Sequence, residues 1–160
     1  MAQLLRAHRA DEICFGLPAV SGRDLLQAAK ARDEGEVEEL LADGWNPNTQ
    51  NQNGWTALHV AALHDRVAVA KLLIRLRANV DARGNSGGTP LYVAAEAGHV
   101  GMVRLLLASK ANANVRTKLL SSALHMAAYR GRLEAARLLL KHKANVSAQD
   151  VSGWTPLHLA

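Results

Sequence analysis

The chain is poor in several residue types, and each shortage excludes something. One cysteine, Cys14, stands among 160 residues. No intramolecular disulfide can form, and a reducing, cytoplasmic setting is expected. Aromatic residues are 4% of the sequence, so a core must be built from Leu, Ala and Val, whose small side chains let helices lie close together. No apolar run approaches the ~18 residues of a membrane span, so no transmembrane segment is expected. The first ten residues carry Arg6 and Arg9 without an acid but lack the apolar stretch of a secretory signal. A transit peptide is the alternative for that stretch. No Ser/His/Asp or Cys/His set occurs at interpretable spacing, so no catalytic residues, metal ligands or cofactor are expected.

What the chain does have is a period. Leu58, Leu91, Leu124 and Leu157 lie 33 residues apart, and Asn46, Asn79, Asn112 and Asn145 keep the same step. So do the alanine pairs Ala61-Ala62, Ala94-Ala95 and Ala127-Ala128, and the triplets at 72–74, 105–107 and 138–140. Independent positions kept in phase at a spacing of roughly 20 to 50 residues signal stacked repeats.

The copy at 84–116, GNSGGTPLYVAAEAGHVGMVRLLLASKANANVR, shows how one unit is built. Thr89-Pro90 is a helix start: a hydroxyl N-cap, then proline where its missing N–H does no harm. Leu91, Ala94 and Ala95 give one apolar face at i, i+3 and i+4. Gly98 suits a left-handed C-cap. A second helix is predicted from about Val100, burying Val103, Leu106 and Leu107, after which Asn112 tolerates the turn outward. Neither helix would persist alone, because isolated helices under ~12 residues are marginal in water.

These phrases resemble the ankyrin repeat: GTPLYVAA with GH (87–99, with an extra Gly88), the leucine triplets, ANAN, GWTALHVAA and GWTPLHLA. The resemblance implies an all-α solenoid of helix–turn–helix units, with hairpin-like loops projecting to one side and a concave surface that binds proteins. Residues 1–22 are then an N-terminal extension and 23–160 the repeat domain. Within it, 24–48 resemble a capping repeat, 51–83, 84–116 and 117–149 full repeats, and 150–160 an incomplete one. Glu34 and Glu39 stand where an inner copy has Val67 and Leu72, the polar outer face that a terminal repeat needs. The fifth copy provides one short helix and no second helix to cover Leu138–Leu140, so a piece of a longer protein is expected.

By the same resemblance, partner-binding side chains fall at the loop tips and along the exposed side of each first helix. These are Gln52, Asn53, Trp55, Leu63 and His64 in the second copy, and Asn85, Ser86, Gly88, Glu96 and Ala97 in the third. In the fourth they are Lys118, Leu119, Ser121, Tyr129 and Arg130; the fifth adds Val151, Ser152 and Trp154. Trp, Tyr and Arg are the types enriched in interface hot spots, which singles out Trp55, Tyr129 and Arg130. For Trp55 and Trp154, packing against the neighbouring loop is the alternative.

Three other features have a plainer reading. His59, His125 and His158 follow Thr56, Ser122 and Thr155 by three residues, the place of a capping partner. One repeat apart, they are too distant to share a metal. The glycine-rich stretch at 84–90 precedes a helix but lacks the Lys-Ser/Thr ending of a phosphate loop, and reads as a turn. Leu120 stands where the other copies have Gly54, Gly87 and Gly153. Glycine there suggests positive φ, so the loop carrying Leu119-Leu120 is expected to bend differently or to meet a partner, distortion being the favoured outcome.

Charge divides along the chain. Residues 23–48 hold three basic and seven acidic residues, whereas 49–160 hold fourteen and five. A protein partner with an acidic patch is expected, with nucleic acid or anionic lipid disfavoured. The overall expectation is a non-catalytic protein-binding scaffold. The alternative is a regulatory or substrate-recruiting arm of a larger enzyme, since ankyrin repeats are found joined to kinases, acyltransferases and ubiquitin ligase components.

Overall fold

A computed structural model describes residues 21–160. Cys14, Arg6, Arg9 and all but the last two residues of the extension assigned to 1–22 lie outside the described residues. Nine helices and no strand occur among those described. They come in pairs: α1 (Ser21–Ala31) with α2 (Glu34–Ala42), α3 (Ala57–Leu63) with α4 (Val67–Arg75), α5 (Pro90–Ala97) with α6 (Val100–Ala108), and α7 (Ala123–Tyr129) with α8 (Leu133–Lys141). The short α9 (Pro156–Leu159) follows. First helices pack in one row, α1 to α3 to α5 to α7 to α9, and second helices in another, α2 to α4 to α6 to α8. This is the expected two-layer solenoid. The first helix opens at Ser21, slightly ahead of the expected start of the capping repeat.

The apolar period fills the space between the layers. Leu58 and Leu91 are fully buried and Leu124 nearly so, as are the small residues beside them, Ala61, Ala62, Ala94, Ala95 and Ala127. Met102, Val103, Leu106 and Leu139 face them from the second helices. Each buried leucine contributes roughly 2 kcal/mol, and alanine allows the first helices to pack closely. Glu34 and Glu39 are exposed, as the capping reading requires, while Val37 of the same helix is buried.

The helix ends follow local rules. Thr89 caps α5 by accepting the Tyr92 N–H (3.3 Å), and Gly98 closes it in the left-handed region at φ 80°. Asp65 holds the corresponding turn after α3 at φ 54°. The periodic asparagines shape the outgoing turns: Asn46, Asn79, Asn112 and Asn145 each accept, through Oδ1, the N–H two residues on. A second polar set ties the repeats together. The N–H groups of Asn79, Asn112 and Asn145 donate to Asn48, Asp81 and Asn114 of the preceding copy at 2.6, 2.9 and 2.7 Å.

One expectation needs correction. The fourth loop is not distorted. Leu120 sits at φ 56°, in the same left-handed region as Gly54, Gly87 and Gly153. Its N–H bonds the Thr117 carbonyl (2.9 Å), as Gly54 bonds Asn51, Gly87 bonds Gly84 and Gly153 bonds Asp150. The hydrogen bond that closes the loop holds the backbone in this region, and leucine accepts a strain of about 1–2 kcal/mol to conform.

Candidate protein-interaction surface

The loop tips are joined into one edge by backbone hydrogen bonds from each repeat to the one before. Asn85 N–H donates to Asn53 O (2.9 Å), Lys118 N–H to Ser86 O (2.8 Å) and Val151 N–H to Leu119 O (3.1 Å). Asn85 Nδ2 adds a bond to Gln52 O at 2.8 Å. Gln52, Asn53, Asn85, Ser86, Lys118, Leu119 and Val151 therefore form a continuous line. Within the turns, Asn51 Oδ1 accepts the N–H groups of Asn53 and Trp55, and Asp150 Oδ1 those of Ser152 and Trp154. Farther back, Arg83 and Arg116 reach one repeat along, donating to the carbonyls of Arg116 and Gln149, while Gln50 donates to Arg83 O. The sequence reading missed this arginine ladder, although the phase of positions 50, 83, 116 and 149 was there to find it.

Beneath the tips, the capping histidines do two jobs. The backbone N–H of Thr56 can only donate, so His59 Nδ1 must accept it (3.2 Å). The ring proton then sits on Nε2 and is donated to Gly88 O of the next repeat (3.2 Å). His125 repeats the pattern with Ser122 N–H (3.2 Å) and Trp154 O (3.1 Å). The cap was legible in sequence; the bond to the next repeat was not. Burial pushes His59 below the ordinary imidazole range, against an opposing effect of the Gly88 carbonyl. Tyr92, which stands in for this histidine in the third copy, is half-buried, and that burial raises its hydroxyl pKa.

A second group gathers at the C-terminal ends of the first helices. Arg130 Nη2 contacts Glu96 Oε1 at 2.7 Å, bridging the third and fourth repeats, and the guanidinium lies 5.5 Å from the centre of the Tyr129 ring. The Glu96 hydrogen bond holds the Arg130 pKa above its usual value. Tyr129 remains 61% exposed. Beside it, Leu63, Val93, Glu96, Ala97, Arg130 and Arg132 line a shallow depression of about 270 Å³. Arg132, which donates through Nε to Glu96 O, was not foreseen. His64 is held below its ordinary range, first by burial and then by Lys30, Arg66 and His99. The first helices separating these ends from the loop tips have seven or eight residues, a distance of roughly 10–12 Å.

The two tryptophans part company. Trp55 is half-buried, stacked on His59 at 5.7 Å, and a Cβ built on Gly84 of the next loop would lie 3.1 Å from its ring. Trp154 is more than half exposed. Among the described residues, no group of three or more His, Cys, Asp or Glu could hold a metal ion.

Comparison with known proteins agrees with this geometry. A family model described as "Ankyrin repeats (3 copies)" matches residues 25–118, more than half of the chain, and one described as "Ankyrin repeats (many copies)" matches 124–160. The chain belongs to the ankyrin-repeat family. Its ankyrin repeats are similar to a segment of a human protein named mitochondrial disaggregase, 37% identical over 62 residues, or 39% of this chain and 9% of that protein. They are also similar to glycerophosphocholine phosphodiesterase gde1 of Schizosaccharomyces pombe, 45% identical over 47 residues (29% of this chain, 4% of that protein). Protein VAPYRIN-LIKE of Medicago truncatula is 41% identical over 51 residues (32% of this chain, 11% of that protein). The likeness thus spans about a tenth or less of these relatives. Ankyrin repeats are in general protein-interaction modules. No helix among the described residues is long and apolar enough to cross a membrane.

Proposed function

We propose that the loop-tip edge and the exposed ends of α3, α5 and α7 bind a protein partner, centred on Tyr129 and Arg130. The observation that carries this reading is the Glu96–Arg130–Tyr129 group. An exposed aromatic ring lies against a guanidinium that a carboxylate already fixes, at the mouth of a depression. Ordering such side chains beforehand lowers the entropic cost of binding, and Tyr and Arg are the common anchors of interfaces. Trp55 contributes less in this reading than the sequence suggests, because His59 and the third loop cover part of it.

We infer further that the repeats are not catalytic. Both ring nitrogens of His59 and of His125 are committed to structural hydrogen bonds. The setting we assign is cytoplasmic, on the single cysteine. A second reading, a recruiting arm of a larger enzyme, is favoured by two relatives that bear enzyme names and match this chain over 62 and 47 residues.

The test begins with a partner captured by the intact chain. Tyr129→Ala and Arg130→Ala, each checked for folding by circular dichroism, should weaken its binding by about 2 kcal/mol or more. Arg75→Ala, an exposed residue of α4 paired with Glu38 at 3.6 Å, should leave binding nearly unchanged. An equal loss from Arg75→Ala would move the partner to the second-helix layer and reject the proposed site.

A further inference from the structure

The basic charge of the repeats is not spread over both layers. The stretches holding the second helices and their flanking turns, 66–78, 99–111 and 132–144, contain ten basic residues and one acidic residue, Glu134. The rest of 49–160, the loops and first helices, contains four of each and is neutral. Several of those loop cations are also engaged: Arg83 and Arg116 with carbonyls, Arg130 with Glu96. An acidic partner therefore finds its complement on the second-helix layer and not on the loop-tip edge.

The cations there keep the repeat phase. Lys71, Arg104 and Arg137 form one row, one residue from each of α4, α6 and α8; Arg77, Lys110 and Lys143 form another, just past the ends of the same helices. All six are exposed. Among the described residues one of them has an ion pair, the exposed Arg137–Glu134 contact at 3.6 Å. The second row has an independent peculiarity. Arg77, Lys110 and Lys143 lie at φ 71°, 67° and 62°, where the first repeat has Gly44 at φ 94°. A conformation that glycine enters freely is occupied three times by a long cation, so the left-handed close of each second helix sets the three charges at the same place in successive repeats.

We propose that this layer of the second, third and fourth repeats is a docking surface for an acidic helix of a partner protein. Packed helices stand ~8–10 Å apart, so cations in a row recur at nearly the step of one heptad on a facing helix, about 10.5 Å. Carboxylates at heptad spacing can meet one repeat after another. Leu76, exposed beside the rows, offers an apolar contact to such a helix. The sign change at the first repeat selects protein over other polyanions. Glu38 heads the first row, with Glu34, Glu36 and Glu39 exposed on the same helix. A nucleic-acid backbone or an anionic membrane is negative throughout and would meet those carboxylates; an acidic protein segment can end there. The three stretches also hold no Phe, Tyr or Trp for bases to stack on.

The probe is a fluorescein-labelled peptide of three heptads, about 21 residues or ~31 Å as a helix, with glutamates at heptad spacing among alanines. Its glutamine counterpart is the control. The intact chain should bind the glutamate peptide, more weakly as salt rises, and should not bind the glutamine one. Combining Lys71→Glu, Arg104→Glu and Arg137→Glu should weaken binding at least tenfold. Combining Arg77→Gly, Lys110→Gly and Lys143→Gly should also weaken it while leaving the fold intact, because glycine suits those backbone angles. Tyr129→Ala and Arg130→Ala should leave peptide affinity unchanged, which separates this surface from the one proposed above. Absence of binding, or affinity indifferent to both combined variants, overturns the proposal. So does tighter binding to a short DNA duplex or to phosphatidylserine vesicles than to the peptide.

Discussion

The two layers of this solenoid are built by opposite rules. The loop and first-helix layer is electrically neutral and laced by hydrogen bonds that cross from repeat to repeat: tip to tip, histidine to carbonyl, arginine to carbonyl. The second-helix layer is held mainly by apolar packing of Val69, Leu73, Val103, Leu106 and Leu139, with Arg66, His99 and Arg132 at its helix starts donating to carbonyls of the preceding repeat. In the second to fourth repeats it turns a basic surface to water. Directional bonds fix the relative position of neighbouring loops, so one layer can present a defined set of side chains. Apolar packing leaves the outward positions free, so the other can vary its charge without altering the fold.

If that contrast is right, the largest effect should come from cutting a bond that belongs to the first layer. His59→Ala removes the Thr56 cap, the bond to Gly88 O and a fully buried ring. We expect a loss of roughly 2–4 kcal/mol by chemical denaturation. Lys71→Ala on the outer layer should stay within about 0.5 kcal/mol. Equal losses would erase the distinction between the layers.

Acid should act on the first layer more gently. His59 has a lowered pKa in the folded chain because burial disfavours its charged form. Below the ordinary imidazole value of about 6.5 the unfolded chain binds the proton more readily than the folded one, so stability falls as pH drops. Above that value the contribution of His59 is fully present. The melting temperature, followed from pH 8 downward, should hold steady and then decline below about 6.5, and His59→Gln should blunt the imidazole part of that decline. An unchanged profile in the variant would show that His59 is not the group responsible.

The smallest effect tests the fourth loop. Leu120→Gly relieves a left-handed strain of about 1–2 kcal/mol but adds backbone entropy worth about 0.5–1 kcal/mol. A net gain of roughly 0.5 kcal/mol is expected. A clear loss would mean that Leu120, although considerably exposed, makes contacts that outweigh its backbone cost.

Much of this was legible in advance, because local chemistry and period are both written along the chain. The helix pairs, the Thr89–Pro90 start, the Gly98 stop and the histidine caps follow from short-range rules, and the structure places each where the sequence does. The geometry of the candidate surface was legible in part. The loop tips do line up, and Tyr129 and Arg130 do stand together, but their tie to Glu96 spans 34 residues and depends on how two helices settle side by side. The reading of Leu120 erred by weighing leucine's own preference above the hydrogen bonds of the loop around it.

The sequence by itself determined the repeat, its helices, its polar first cap and the total charge. Tertiary structure alone decided which members of a repeating set do which job. A stacked repeat buries its side chains against its neighbours and not against itself, so identical local sequence yields different environments. The same stacking gathers six cations scattered over more than seventy residues into two rows, because a period along the chain becomes adjacency in space once the units are laid side by side.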